Sequence, residues 1–320
     1  MTPGMLVEGD WKTEKEREDG EGRFVRSETT FRDRVTADGS SGYRAEAGRY
    51  HLYISWACPW AHRTAIMRRL KGLEGAISLS SVQPYMGEDG WAFSNGAFPD
   101  PLYGASYLRD IYTKADPDFT GRVTTPVLWD KEEETIVNNE SREVMNMLDT
   151  EFDDFATRDD NFYPEGLGGE IEGTLDELYD AVNNGVYRAG FATKQAAYEE
   201  AVTELFAALD RWEELLGRRR YLCGDRITEA DWAFFTTLVR FDPVYHGHFK
   251  CNLRRIVDYP NLWGYLRDLY QQPGVAETVD LDHIKRHYYG SHESINPTRI
   301  VPKGPIIDLS EPHDRGRLPS

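Results

Sequence analysis

The sequence predicts an α/β domain over residues 46–150 followed by an all-helical domain over 174–290. Three observations predict this. Apolar positions alternate in short runs before about residue 140 and recur in threes and fours after 174. Strand-like and helix-like segments interleave in the first part, which is the pattern of a layered α/β arrangement. An acidic, Gly-rich stretch over 151–173 separates the two parts and reads as a linker.

Residues 1–45 are charged and Gly-rich, with scattered apolar positions at Phe24, Val25 and Phe31. They read as an N-terminal arm lying over the domain, with Phe24 and Phe31 as its anchors. The first strand ends in Tyr50-His51-Leu52-Tyr53-Ile54-Ser55 and is followed by Trp56-Ala57-Cys58-Pro59-Trp60-Ala61-His62-Arg63. Pro59 suits a first helical position, because its missing N–H has no intrahelical partner there. Ile66, Met67 and Leu70 give that helix an apolar face, and Gly72 suits its stop. A second strand covers 76–82, and Gln83-Pro84 ends it. Residues 85–120, rich in Gly, Pro, Asp and aromatics, read as a long loop or insertion. A third strand covers 123–129, with Pro126 marking an edge or a special turn and a cis Thr125-Pro126 bond as one option. Residues 130–134 turn into a fourth strand at 135–137. Asn138-Asn139-Glu140-Ser141 then opens a helix carrying Val144, Met147 and Leu148 on one face.

A cysteine at the end of the first strand, a proline before a central strand and a polar helix start after the last strand together give the thioredoxin-like layout. All three points meet at one end of such a sheet.

From 174 onward one stripe runs through Leu175, Leu178, Tyr179 and Val182. A longer stripe runs through Tyr198, Val202, Leu205, Phe206, Leu209, Trp212 and Leu216. Asp225-Arg226-Ile227-Thr228-Glu229-Ala230-Asp231-Trp232 carries a capping box, Thr228 with Asp231, and a hydrophobic staple, Ile227 with Trp232. Further helices are expected at about 262–272 and 275–288. The tail, 291–320, is irregular and proline-punctuated, and suits wrapping of the surface or of a partner subunit.

The 320 residues carry 37 basic and 55 acidic side chains, a net charge of −18. That balance argues against nucleic acid or an anionic membrane as a partner. With 9 lysines against 28 arginines, the excess of carboxylates suggests adaptation to high salt. No run of about 18 apolar residues occurs, and the start lacks the pattern of a signal peptide. Three cysteines, Cys58, Cys223 and Cys251, make no disulfide framework, so a reducing cytoplasm is the expected location. No metal site is expected. No two cysteines are near each other, and His283 and His287, one helical turn apart, lack a third ligand and read as a solvated helix face.

Cys58 falls at a helix N-terminus, where free N–H groups and the helix dipole favour an anion. A thiolate is such an anion and is the reactive form of cysteine. Position 61 is alanine, so there is no partner at C-x-x-C spacing. A mixed disulfide on Cys58 must then be cleared by an external thiol, which is monothiol chemistry. His62, one turn further along, reads as a hydrogen-bonded structural histidine.

Cys58-Pro59-Trp60-Ala61-His62-Arg63, Gly90-Trp91-x-Phe93, Asn138-Asn139-Glu140-Ser141, Asn183-Asn184-Gly185-Val186-Tyr187, His287-Tyr288-Tyr289 and Ser294-Ile295-Asn296-Pro297 occur in this order. Together they resemble the glutathionyl-hydroquinone reductases, the Xi class of glutathione transferases, over about residues 20–305. The resemblance implies the glutathione transferase fold, a homodimer and a glutathione-dependent activity. It matches Cys58 to the catalytic cysteine and Trp91 to a tryptophan covering the thiol. It matches Arg122, Val123, Thr124 and Thr125 to a segment whose backbone pairs with the tripeptide as an added strand. Thr125 departs from the usual aliphatic type there. Glu140 and Ser141 match the pair holding the γ-glutamyl end, Tyr187 the proton donor, and Tyr245 and Tyr288 tyrosines near the cysteine.

The implied reaction is reduction of an aromatic thioether, a glutathionyl-hydroquinone, through a Cys58 mixed disulfide. Two other readings stay open at this point. One is an omega-like thiol transferase or dehydroascorbate reductase using Cys58 without the tyrosines. The other is a non-enzymatic scaffold on the same fold. The co-substrate thiol is glutathione or, given the acidity of the chain, γ-glutamylcysteine, since contacts at Glu140 and Ser141 serve both.

Overall fold

The computed structural model describes residues 4–13 and 19–318. The described residues divide into two compact units. The first comprises 4–13, 27–160 and 278–300, and the second 19–26, 161–277 and 301–318.

In the first unit, β1 (Met5–Val7) and β2 (Asp10–Lys12) form an antiparallel hairpin. Two short strands, β3 (Val35–Thr36) and β4 (Tyr43–Arg44), pair in parallel. The main sheet holds β5 (Tyr50–Ile54), β6 (Ser78–Ser81), β7 (Val127–Asp130) and β8 (Thr135–Asn138) in the order β6-β5-β7-β8. Strand β5 runs parallel to β6 and antiparallel to β7, and β7 is antiparallel to β8. This is the thioredoxin-like topology that the order of the motifs predicts.

Helix α1 (Pro59–Leu70) follows β5 and packs on α3 (Ser141–Thr150), which follows β8. Tyr53, Val127, Trp129 and Ile136 face one side of the sheet. They bury against Leu108, Ile111 and Tyr112 together with Trp91, Phe93 and Phe119. Leu52, Ile54 and Leu128, one residue out of step, must point to the opposite face.

Much of that core comes from the segment read from the sequence as a loop. Residues 108–115 form helix α2 (Leu108–Ala115). Its three buried positions, Leu108, Ile111 and Tyr112, do follow helical spacing. The element is short, however, and sits among Gly, Pro and aromatic residues that signal turns. The rest of the segment is ordered by Asp100, whose carboxylate accepts from the Leu102, Tyr103 and Ala105 N–H groups and from the Tyr53 hydroxyl.

The second unit is helical: α4 (Gly168–Leu178), α5 (Gly185–Gly190), α6 (Gln195–Leu216), α7 (Glu229–Arg240) and α8 (Pro260–Tyr270). Two π-helical turns interrupt it, at Tyr179–Asn183 and at Phe241–Tyr245. One reading changes: Ile171, Leu175, Leu178 and Val182 are buried at successive spacings of four, three and four, and Tyr179, beside that stripe, is exposed. The capping box forms as expected, with Asp231 accepting from the Thr228 N–H at 2.8 Å.

Helix α9 (Leu281–Ser291) also differs from expectation. The sequence places it in the helical domain, yet it belongs to the first unit. His287 there donates from Nδ1 to the Pro84 carbonyl at 2.9 Å, and Ser291 Oγ accepts from the Met86 N–H at 3.0 Å. Its start is set by Asp280, which accepts from the His283 N–H. His283 and His287 are therefore buried, not on a solvated face.

The N-terminal arm splits between the units. Phe31 packs on Tyr112 and Phe119 in the first, and Phe24 packs on Phe191 in the second, with ring centroids 5.3 Å apart. Among the described residues no helix is long and apolar enough to cross a membrane.

Candidate active site

The centre of the site is the junction of β5 and α1. Cys58 is the N-cap residue of α1 in extended conformation, and Pro59 occupies the first helical position. The helix has no acidic residue in its first turn, so the N-terminal N–H groups and dipole face Cys58 uncompensated. Cys58 is partly exposed, whereas Cys223 and Cys251 are buried. Burial pushes both of those thiols up, away from thiolate formation. His62, one turn on, is buried and bonded to the Thr278 hydroxyl at 2.9 Å, a structural role as read from the sequence.

Thr125 comes to the cysteine from a distant part of the chain. Cys58 Sγ lies 3.5 Å from the Thr125 carbonyl oxygen, and the Thr125-Pro126 peptide is cis. The Thr125 hydroxyl is buried and makes no hydrogen bond among the described residues. That is the physical content of its departure from an aliphatic type.

The rest of the segment is held from behind. The Arg122 guanidinium donates to the Gly4 carbonyl, and Leu6 pairs with Gly121 through two backbone bonds of 3.0 Å. The β1–β2 hairpin thus backs the segment. Val123 is buried in the core. Thr124 is engaged on both main-chain groups by the Tyr112 hydroxyl, which accepts from its N–H at 3.2 Å and donates to its carbonyl at 2.9 Å.

Glu140 is the N-cap of α3, and Ser141 is the first, buried, residue of that helix. The Glu140 carboxylate accepts from the Arg142 N–H at 3.3 Å and from the Thr29 hydroxyl at 3.2 Å. The Ser141 N–H and hydroxyl sit where a helix start favours a carboxylate ligand. Trp91 is almost fully buried and stacks on the His287 imidazole, ring centroids 4.8 Å apart and planes within 19°. The Pro84 carbonyl can only accept, so His287 carries its proton on Nδ1.

Of the tyrosines, Tyr288 is buried in the first unit, beside His287 and His292. Tyr187 and Tyr245 come together in the second, ring centroids 6.1 Å apart, and both pack on Phe249. Tyr187 stands in α5, four residues after the first π turn ends, and Tyr245 belongs to the second. Asn183 closes the first and is tied to α7 through the Ala233 carbonyl and the Thr237 hydroxyl, and Tyr245 closes the second. The guanidinium of Arg26 lies 4.7 Å above the Tyr187 ring and donates to Asn184 Oδ1.

Sequence reasoning missed Thr29, Arg26, Tyr112 and the partnership of His287 with Trp91. None carries a local signal, since each acts through a residue remote in the chain. Among the described residues no group of three or more His, Cys, Asp or Glu side chains is placed to hold a metal ion.

The two units, in this order, define a glutathione transferase. Profiles described as the glutathione S-transferase N-terminal and C-terminal domains match residues 57–151 and 195–268. The chain is 53% identical to the glutathionyl-hydroquinone reductase YqjG of Escherichia coli, covering 98% of both chains. The glutathione-bound structure of YqjG superposes with a TM-score of 0.90 at 51% identity, over 98% of this chain and 99% of that one. A Xi-class transferase from Natrialba magadii gives a TM-score of 0.94 at 55% identity, covering 99% and 98%. The chain belongs to the glutathionyl-hydroquinone reductases, the Xi class of the glutathione transferases.

Proposed function

We propose that the protein reduces glutathionyl-hydroquinones to hydroquinones with a γ-glutamyl thiol, and that Cys58 is its nucleophile. The observation that carries the reading is Cys58 itself: a partly exposed thiol capping an uncompensated helix start, with alanine at position 61.

The Cys58 thiolate attacks the thioether sulfur of the substrate. The sulfur–carbon bond breaks, a sulfur–sulfur bond forms, and the aromatic carbon takes the electron pair and a proton. A second thiol, as thiolate, attacks the mixed disulfide and releases glutathione disulfide and the Cys58 thiolate. One thioether and one thiol become one hydroquinone and one disulfide, with no other redox partner.

Expulsion of the aryl carbon is the difficult step, and a positioned acid is worth about 10²–10³-fold there. We assign that proton to Tyr187, with Tyr245 and Tyr288 as aromatic and hydroxyl neighbours of the substrate. In the thiol subsite Trp91 covers the tripeptide, Arg122, Val123 and Thr125 border it, and Glu140 and Ser141 hold the γ-glutamyl end. Thr124 borders it as well: Tyr112 occupies its N–H, and its carbonyl keeps a second lone pair for the tripeptide. The glutathione bound to YqjG supports glutathione as the thiol, and γ-glutamylcysteine satisfies the same contacts.

Cys58→Ala and Tyr187→Phe test the assignment together, read as hydroquinone release and disulfide formation. The first should abolish both, and iodoacetamide should label the native protein once, at Cys58. The second should lower kcat by about 100-fold with Cys58 labelling unchanged. Unchanged hydroquinone release in Tyr187→Phe removes the acid assignment. An unreactive Cys58 removes the enzymatic reading. Turnover with each thiol in turn separates glutathione from γ-glutamylcysteine.

We also propose a cytoplasmic, salt-adapted homodimer, from the acidic composition and the family. Sedimentation at low and at molar salt tests it, and a monomer at both would end that reading.

A further inference from the structure

We propose that Tyr112 is a positioning residue for the thiol subsite, its buried hydroxyl locking the segment before Pro126 to the start of helix α3. The proposal rests on the reading that Thr125 and Glu140-Ser141 bind the thiol.

A tyrosine hydroxyl both donates and accepts, and at Tyr112 it does both. It donates to the Thr124 carbonyl at 2.9 Å. It accepts from the Thr124 N–H at 3.2 Å and from Asn139 Nδ2 at 3.0 Å. The Thr124 hydroxyl lies 3.4 Å away. The Asn139 amide has one orientation, because its Oδ1 accepts from the Phe31 N–H at 3.2 Å, which leaves Nδ2 for Tyr112. Asn139 is pinned further by its own N–H, donated to the Phe31 carbonyl at 3.1 Å. The Tyr112 ring packs against both Phe31 and Phe119, centroids 5.9 and 5.2 Å away, and those two rings stack on each other.

The consequences reach both sides of the subsite. Thr124 has its main-chain groups engaged by Tyr112, and Thr125, next along the chain, turns its carbonyl to Cys58 Sγ at 3.5 Å. On the other side Asn139 precedes Glu140, the cap of α3, and Ser141, its first residue. One hydroxyl therefore fixes the spacing between the main chain facing the thiol and the helix start facing its γ-glutamyl carboxylate. Without it, the part-buried Thr124 N–H and carbonyl would lose these bonds, and the backbone would shift or admit water to replace them. Either response moves Thr125.

Tyr112→Phe keeps the ring and removes only the hydroxyl. The expected result is a rise of about tenfold in KM for glutathione, with kcat at saturating thiol within about twofold. The glutathione-dependent increase in Tm should shrink in parallel. Asn139→Leu, which removes one of the three bonds, should raise KM about threefold and serves where the first variant folds poorly. Ser141→Ala is the control for the underlying reading. If Ser141→Ala leaves KM for glutathione unchanged, the thiol subsite itself is misplaced. If Ser141→Ala raises KM and both Tyr112→Phe and Asn139→Leu leave it unchanged while lowering Tm, Tyr112 is only a packing residue and the proposal is overturned.

Discussion

Asp231→Asn tests the helical unit at its most constrained point. Asp231 is fully buried, and each carboxylate oxygen accepts two bonds. Oδ1 takes the Leu222 N–H at 2.9 Å and the Tyr265 hydroxyl at 2.7 Å. Oδ2 takes the Thr228 N–H at 2.8 Å and the Thr228 hydroxyl at 2.9 Å. An asparagine keeps one oxygen and turns an amino group toward the other two donors. The Thr228 hydroxyl can rotate and accept, but the Thr228 N–H cannot. One buried donor left unpaired costs about 1–3 kcal/mol. The surviving bonds also lose charge assistance, about 1 kcal/mol each for two of them.

Against this stands relief from burying the charge, which lifts the Asp231 carboxyl above its usual range while the four donors pull it back. The net expectation is a loss of about 2–4 kcal/mol. At about 2–4 °C per kcal/mol for a domain above 150 residues, Tm falls by roughly 5–15 °C. Differential scanning calorimetry at neutral pH reads it directly. A fall below about 2 °C would mean that the four bonds in the fold do not add up to a buried anion site, and the reasoning would fail.

His51 supplies a pH dependence. Burial pushes its imidazole down to about 4, and its two nitrogens sit 2.7 and 2.8 Å from the hydroxyls of Ser78 and Ser80. The folded value lies below the unfolded one of about 6.5, so the unfolded chain binds the extra proton. The contribution is present above pH 6.5 and is lost as pH falls toward 4, amounting to roughly 3 kcal/mol. Thermal melts between pH 4 and 7 should fall more steeply for the native protein than for His51→Gln, and parallel curves would refute the assignment. Thr125→Val replaces the unpaired buried hydroxyl with a methyl group of the same shape. Stability in denaturant should rise by about 1 kcal/mol and KM for glutathione should stay within twofold, because the proposed contact is main-chain. A tenfold rise in KM would instead give the hydroxyl a role in binding.

The parts of the site legible in the sequence share a property: their chemistry is local. Cys58 at a strand-to-helix join, Pro59 at the first helical position and Ala61 where a resolving cysteine would stand are all visible within four residues. So is the capping box of Thr228 and Asp231, because both halves lie in one turn. Helix α2 was not legible, since eight residues of helix within a Gly, Pro and aromatic stretch give too short a period to outweigh the turn signals around them. Tyr179 illustrates a related failure. It stands at helical spacing from Leu175, yet it flanks the buried Ile171, Leu175, Leu178 and Val182, and at the edge of a stripe spacing does not decide burial.

The sequence by itself determined the order of an α/β part and a helical part, the helix-capping cysteine and its monothiol character, because these follow from neighbours along the chain. Tertiary structure alone decided that helix α9 belongs with the first unit and that its histidines are buried. It also decided that His287 stacks on Trp91 and that Tyr112 joins Thr124 to Asn139. The physical reason is the same for each. A buried polar group must find its partner wherever the fold brings one, and here that partner is usually far away in the chain: Pro84 for His287, Thr278 for His62, Thr124 for Tyr112. Spacing in sequence carries no record of such choices.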